Sequence, residues 1–274
     1  MSTDRPAQRR AWRSALLSAP DGARAGVPGA ALAALAALTR RLRDADPHGH
    51  WRFRRLDGAA TPRLEVSVWS TPPVADELLH RLGLDAARHG WSVHPPAPAG
   101  EPGSGAGDDD LLPRLAAASS DFAVEVAAHP LTADEQFGLA VVHLRRLYDF
   151  LAPEHHLPLL FHGWHHWSRS LTPPDRVRLA ATADRHAEGP LSGQVREPWQ
   201  SALQRYAQRV GAALQGHRDG AHGPLPYLLF DLAHATHDRL GLAPAVGAAA
   251  ARALRGSLVA ARSAAPAEAL VAAA

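Results

Sequence analysis

The sequence predicts an α+β fold, a small and mainly antiparallel sheet packed with a predominantly helical C-terminal region. Three observations lead there. Apolar and polar residues alternate over residues 51–56 and again over 63–69, the period of strands with one wet face. Residues 95–110 (PPAPAGEPGSGAGDDD) are rich in Pro and Gly and then acidic, the composition of a flexible loop. Beyond that loop, helix start and stop signals follow one another almost without interruption.

Taken in order, residues 1–27 are polar and Arg-rich without the apolar centre of a signal peptide, so they read as a mobile arm. Residues 28–45 open on Pro28 and close on Arg40, Arg41 and Arg43, the marks of a helix. Its apolar part, residues 29–38, is too short to span a bilayer, and a cytoplasmic protein without a membrane segment is expected. The two alternating runs form an antiparallel pair around the turn at Asp57 and Gly58, followed by a helix over 74–89 and a short strand at Trp91 to His94. After the loop, helices are expected near 110–119, 133–151, 155–170, 173–187, 195–216, 226–240 and 244–262. Thr132 with Glu135 has capping-box spacing, Thr172 precedes Pro173, Pro174 and Asp175, and Gly241 stands where a C-cap belongs. The run from Phe122 to Val126 reads as a further short strand. Together these elements make a single domain over 28–262, with an Ala-rich tail at 263–274 that frays.

Composition removes whole classes of chemistry. The chain of 274 residues has no Cys, Lys, Asn or Ile, and all 29 basic residues are Arg. That skew is the mark of a GC-rich gene. The missing Cys excludes disulfides, a thiolate nucleophile and zinc-thiolate or Fe–S sites. The missing Lys excludes a Schiff-base lysine and a P-loop lysine. A net charge of +2, with no basic stripe interleaved with aromatics, gives no footprint for nucleic acid.

What remains is 17 His, with Tyr, acids and Arg. His162 and His166 are one helical turn apart and within reach of one ion, but no third ligand stands at a recognised spacing, so no metal is expected. Trp164 and Trp167, at i and i+3 beside that pair, suit packing into the core better than stacking on a ligand. Further on, Tyr227, Asp231, His234 and Asp238 are spaced by i+4, i+3 and i+4 and form one polar stripe on a helix. Leu228, Leu232 and Arg239 occupy the opposite face. A His oriented by Asp231 beside a phenol is acid–base equipment. A solvated helix face carrying i,i+4 pairs accounts for the same spacing.

Several stretches resemble one family. Asp231-Leu-Ala-His234-Ala-Thr-His237-Asp238-Arg239-Leu240-Gly241 is similar to the "S-L-x-H-M-x-x-N-R-L-x-G" helix of lantibiotic-dehydratase elimination domains, with Asp238 for the usual Asn and Ala235 for the usual Met. Leu144-Arg145-Arg146-Leu147 and the stretch from Phe161 to Pro173, FHGWHHWSRSLTP, resemble the thiopeptide-type branch, where "W-x-H-W-S…L-T-P" is familiar. The strand pair lies where the family has "F-I-R-Y-x-D…H-L-R-L-R". The resemblance covers about residues 48–262.

It implies one of two chemistries. One is elimination of glutamate from glutamylated Ser to give dehydroalanine. The other is a formal [4+2] aza-cycloaddition between two dehydroalanines of a linear precursor, with loss of water and of the leader peptide as an amide, to leave a pyridine-centred macrocycle. An eliminase grips the glutamyl carboxylate with strand arginines, yet Glu65 and Ser67 stand where the family's second strand has them. A glutamate repels that leaving group, so pyridine synthesis is the favoured reading, with no cofactor implied. In it His234 is the acid–base residue, Tyr227 the donor to the reacting amide, and His162 and His166 secondary candidates. The ribosomally made precursor, an acidic leader followed by a dehydrated core, is expected to be held by Arg52, Arg54, Arg55 and Arg63. A leader strand adding to the edge of the sheet would use the same region. Trp164, Trp167, Ser168, Asp231 and Arg239 complete the expected binding set, and partner biosynthetic enzymes are implied. A non-catalytic module that only presents the precursor remains the alternative from another class.

Overall fold

The computed structural model describes residues 10–20, 29–56, 61–94, 110–188, 196–215 and 223–264. These divide into two compact units, where the sequence reading has one domain. The first draws on Met1–Pro130, Ser201–His217 and Asp238–Gly241, and the second on Leu131–Gln200, Arg218–His237 and Leu242–Ala274. Most of the expected loop at 95–110 and of the expected tail lies outside the described residues.

The first unit is built on a sheet of four strands in the order β2-β3-β1-β4. These are β1 (Ala11–Ser18), β2 (His50–Leu56), β3 (Arg63–Ser70) and β4 (Ser92–His94), and every pairing is antiparallel. β1 corrects the sequence reading, which places it in a mobile arm. All eight of its residues pair with β3, from Ala11 opposite Ser70 to Ser18 opposite Arg63. Its buried residues are Ala15 and Leu17, two apart on one face, while Trp12, Ser14 and Leu16 point to the other. Arg and Ser mask that alternation, and the partner strand lies some fifty residues away, so no local pattern announces the strand.

One face of the sheet presents Trp51, Phe53, Leu64, Val66, Val68, Ala15 and Leu17 to a core closed by α1 (Gly29–Ala45) and α2 (Pro72–Ala87), through residues such as Leu35, Leu38, Leu78 and Leu82. Burying a side chain of this size contributes about 1.5–3 kcal/mol. β2 lies at the sheet edge, and its free backbone groups at Phe53 are occupied. The Phe53 N–H donates to Ser120 Oγ at 3.3 Å, and the Phe53 carbonyl accepts from Arg239 Nε at 2.7 Å. Covering an edge in this way removes a template for aggregation.

Ser120 belongs to α3 (Leu111–Ala127), which contains Phe122 to Val126, expected as a strand. Phe122, Ala123 and Val126 are buried and Glu125 is exposed, which is helical spacing. Asp121 on the same helix accepts from Trp51 Nε1 at 2.8 Å and from Arg43 at 2.9 Å, and it pairs with Arg209 as well. A second buried carboxylate, Asp46, takes a two-pronged grip from Arg10 and a bond of 2.7 Å from Ser70. Burial raises the Asp46 carboxyl, but the Arg10 and Ser70 bonds and the Arg10 charge outweigh it and hold the group below its usual range.

The second unit is helical, with α4 (Ala133–Tyr148), α5 (His156–Ser168), α6 (Pro173–Glu188), part of α7 (Glu197–Leu214), most of α8 (Leu225–Leu240) and α9 (Pro244–Ala264). The capping box is present, with Thr132 Oγ1 accepting from Glu135 N and Thr132 N donating to Glu135 Oε2. Thr172 likewise starts α6 by accepting from Asp175 N. Gly241 takes φ +72° after α8, a left-handed position that suits Gly. α9 packs against α4, α5 and α6, and its contact residues are small, with Ala248, Ala249, Ala250, Ala251 and Ala253 all buried. Among the described residues no helix is long and apolar enough to cross a membrane.

Within this unit His143 on α4 and His237 on α8 are fully enclosed, with His143 Nδ1 and His237 Nε2 3.2 Å apart. Burial, and then the neighbouring imidazoles, depress both, His143 well below the ordinary range and His237 to about 3. Both rings are therefore neutral in the folded state.

Two outcomes are expected. Asp121→Ala strips Trp51, Arg43 and Arg209 of a common acceptor and should lower the unfolding free energy by about 3–5 kcal/mol in urea titrations. For the buried pair, the unfolded chain binds more protons than the folded one from pH 6.5 down to about 3, so stability falls as pH falls through that window. Between pH 7 and pH 5 His237 alone should cost about 2 kcal/mol. In the variant His143→Leu/His237→Leu, the gap between the pH 7 and pH 5 denaturation midpoints should shrink accordingly.

Candidate functional site

The four residues expected to carry chemistry come together in the second unit, on facing turns of α5 and α8. His162 and His166 are one turn apart on α5, and Tyr227, Phe230 and His234 follow at i+3 and i+4 along α8. Phe230, which the sequence reading does not single out, is the hub. Its ring lies 4.4 Å from His162 and 5.1 Å from His166, each edge to face, and 6.4 Å from His234 in a parallel stack. His162 meets Tyr227 edge-on at 6.1 Å, and His166 meets His234 edge-on at 5.1 Å. Phe230 is 5 % exposed and Tyr227 62 %, so a buried aromatic floor carries a phenol at its wet rim. His162 is exposed, and His166 and His234 are half-buried.

The polar stripe on α8 is as the spacing predicts. Tyr227, Asp231 and Asp238 are exposed while Leu228, Leu232 and Arg239 are buried. What spacing alone misses is the partner of His234. The indole of Trp167 donates from Nε1 to His234 Nδ1 at 3.0 Å, so at this nitrogen the positioning expected of Asp231 comes from Trp167. Trp167 is 3 % exposed and sits in the core, not on a ligand-binding surface.

The electrostatics favour an uncharged imidazole at His166. Burial, then the charges of Arg169, His234 and His162, depress His166, and only Asp231 pulls the other way. Behind the site, His237 lies 5.0 Å from Trp167 as a neutral ring. Among the described residues no group of three or more His, Cys, Asp or Glu is placed to hold a metal ion. A neutral His within reach of a phenol and a second imidazole can move protons.

The rest of the expected binding set is dispersed. Trp164 lies under the Arg252 guanidinium, 5.1 Å away, and Arg252 also pairs with Asp184. Ser168 is 1 % exposed, and its carbonyl accepts from Arg176. Arg239, expected to bind substrate, is instead buried and spends its donors on the Phe53 carbonyl and on Ser119 Oγ at 2.9 Å. Burial, and the charge of Arg52, lower it to about 10, still protonated at neutral pH.

On the sheet of the first unit, strand period separates the arginines. Arg52, Arg54 and Arg63 share the face opposite the core, and Arg55 lies on the other, its guanidinium against Gly241. Arg52 stacks over Trp12 at 4.6 Å, and Arg54 is ion-paired with Glu65, the residue directly across on β3. Arg10 and His50 flank Trp69 on the same face, and Ser14 donates to Ser67 at 2.9 Å. Trp12 and Ser14 escaped the sequence reading because β1 did.

No family model and no curated protein matches the chain. Among solved structures that are similar in fold are a lantibiotic dehydratase and TsrL. The tRNA-dependent lantibiotic dehydratase MibB from Microbispora sp. 107891 aligns over 92% of this chain at 18% identity with a TM-score of 0.55. TsrL aligns over 91% of this chain and 96% of its own length, at 15% identity and a TM-score of 0.52. The chain spans only 28% of MibB. At these identities the likeness is one of fold alone.

Proposed function

We propose that this protein matures a ribosomally made peptide by joining two dehydroalanines into a pyridine-centred macrocycle. The observation that carries the proposal is the convergence of His234, His166, His162 and Tyr227 around Phe230, in a chain whose fold is that of a lantibiotic dehydratase and of TsrL. The pairing of Arg54 with Glu65 supports cyclisation over glutamate elimination. The cation that would grip a glutamyl carboxylate is already neutralised by a carboxylate of the protein.

The chemistry asks for proton management and for orientation. One dehydroalanine and its flanking amide, as the iminol, supply a 2-azadiene, and the second dehydroalanine supplies the alkene. Two carbon–carbon bonds close a six-membered ring that contains the amide nitrogen. Loss of the iminol oxygen as water and of the leader as a primary amide then makes the ring aromatic, with no net oxidation. Bringing the ends of a flexible chain together in the reacting geometry is worth roughly 7–11 kcal/mol. In this reading His166, held neutral by burial, takes the amide proton and, as the imidazolium, returns it to the departing water or amide, while His234 donates a hydrogen bond to the amide oxygen as it becomes the iminol and leaves. Tyr227, at the exposed rim, hydrogen-bonds the reacting amide, and His162 supports it. On the sheet face that carries Arg52 and Arg63, those two arginines hold the acidic leader.

The test is incubation of the full chain with a dehydrated, leader-bearing peptide, followed by mass spectrometry. Release of the leader as an amide together with a product lighter by one water supports the reading. Free glutamate from a glutamylated peptide would identify an eliminase instead, and no turnover of either peptide a presenting module. His234→Phe, which removes the donor to the reacting oxygen, should slow cyclisation by about 100-fold or more. Tyr227→Phe should slow it by about ten-fold, the size of one lost hydrogen bond, and an unchanged rate removes the phenol from the mechanism.

A further inference from the structure

We infer that Trp167 is a positioning residue that fixes the tautomer of His234, keeping its proton on Nε2 and so making that nitrogen a hydrogen-bond donor. An indole N–H donates and cannot accept. With Trp167 Nε1 3.0 Å from His234 Nδ1, that nitrogen offers its lone pair, and the single proton of the neutral ring rests on Nε2. In the absence of such a bond both tautomers compete. The choice of tautomer settles which nitrogen donates a hydrogen bond and which accepts one.

The indole has little freedom to abandon this bond. Gly163, one turn back on α5, lies so close that a Cβ there would come within 2.9 Å of the six-membered ring. A Cβ at Gly247 on α9 would come within 3.2 Å of the same ring and 3.0 Å of His237 Nδ1. Phe230 lies 5.5 Å away and His237 5.0 Å. Two glycines and two aromatic rings thus form a close-fitting slot, and the only polar atom of the indole leaves it towards His234. A tryptophan needed for packing alone would be served by any ring of this size. Here the nitrogen is what reaches the site.

The consequence for activity rests on the proposed cyclisation, but the tautomer itself is read without it. In the full chain with 15N-labelled histidine, long-range proton–nitrogen spectra distinguish a bare ring nitrogen from a protonated one, and the His234 signals are those lost in His234→Gln. Wild-type protein should show a bare Nδ1 and a protonated Nε2. Replacing Trp167 with benzothienylalanine, which keeps the ring shape and exchanges N–H for sulfur, should move His234 toward a mixture of tautomers at unchanged melting temperature. On the dehydrated peptide the same variant should lose kcat by about ten-fold with KM retained, because positioning and not binding is impaired. A protonated Nδ1 in the wild type, or a tautomer unmoved by the sulfur analogue, overturns the inference whatever the enzyme makes. A shifted tautomer with an undiminished rate on a peptide that the wild type cyclises overturns the catalytic role of the lock. If the wild type makes no pyridine, the cyclisation reading fails and the spectrum still decides the tautomer.

Discussion

The candidate site depends first on how closely α9 can approach α5 and α8. Gly163 and Gly247 leave a slot that an alanine at either position would invade, and Ala251 follows on the same helix, buried at 0 %. Trp167 fills that slot. Large side chains along α9 would hold the helices farther apart and leave the indole without a seat, and an indole without a seat could not present its N–H at one fixed point. The small residues of α9, which look like compositional monotony in the sequence, are what bring a bulky aromatic to a hydrogen-bonding distance of 3.0 Å.

In the first unit buried charge does a comparable job. Asp121 and Asp46 are each surrounded by donors from several elements, Trp51, Arg43 and Arg209 for one and Arg10, Ser70 and the His48 amide for the other. A carboxylate out of water is costly unless it is fully bonded, so each cluster holds only when all its elements are in register. Arg239 acts in the same way from the opposite sign, tying the free edge of β2 to α3. Because the chain has no Lys, the charged donors in these clusters are Arg, whose planar fork can grip a carboxylate with two donors at once, as Arg10 does on Asp46 and Arg252 on Asp184.

Much of this was legible in sequence where the signal is local. The capping box at Thr132, the C-cap at Gly241 and the alternation of Leu64, Val66 and Val68 each depend on residues a few positions apart. The clustering of His162 and His166, and the polar stripe of α8, are helix periodicity and were visible for the same reason. β1 was not visible, since its identity as a strand comes from β3, far along the chain, and its own residues include Arg13, Ser14 and Ser18. Phe122 to Val126 misled because a short apolar run is ambiguous between strand and helix until its length is known. Arg239 was visible as a motif position but not in its role, because its partners Phe53 and Ser119 are more than a hundred residues away.

The sequence by itself determined the fold class, the chemistry that is excluded and the residue types left to move protons, since absences and periods need no third dimension. Only the tertiary structure decided which of those residues meet. It set His166 against His234, put Phe230 beside them and Tyr227 at the rim, and gave the Nδ1 of His234 to Trp167. It also buried Arg239 under a strand edge and paired Arg54 with Glu65. The physical reason is that a hydrogen bond is satisfied within about 3 Å, and contacts of that kind between distant segments are fixed by how closely helices and strands pack, which no local pattern encodes.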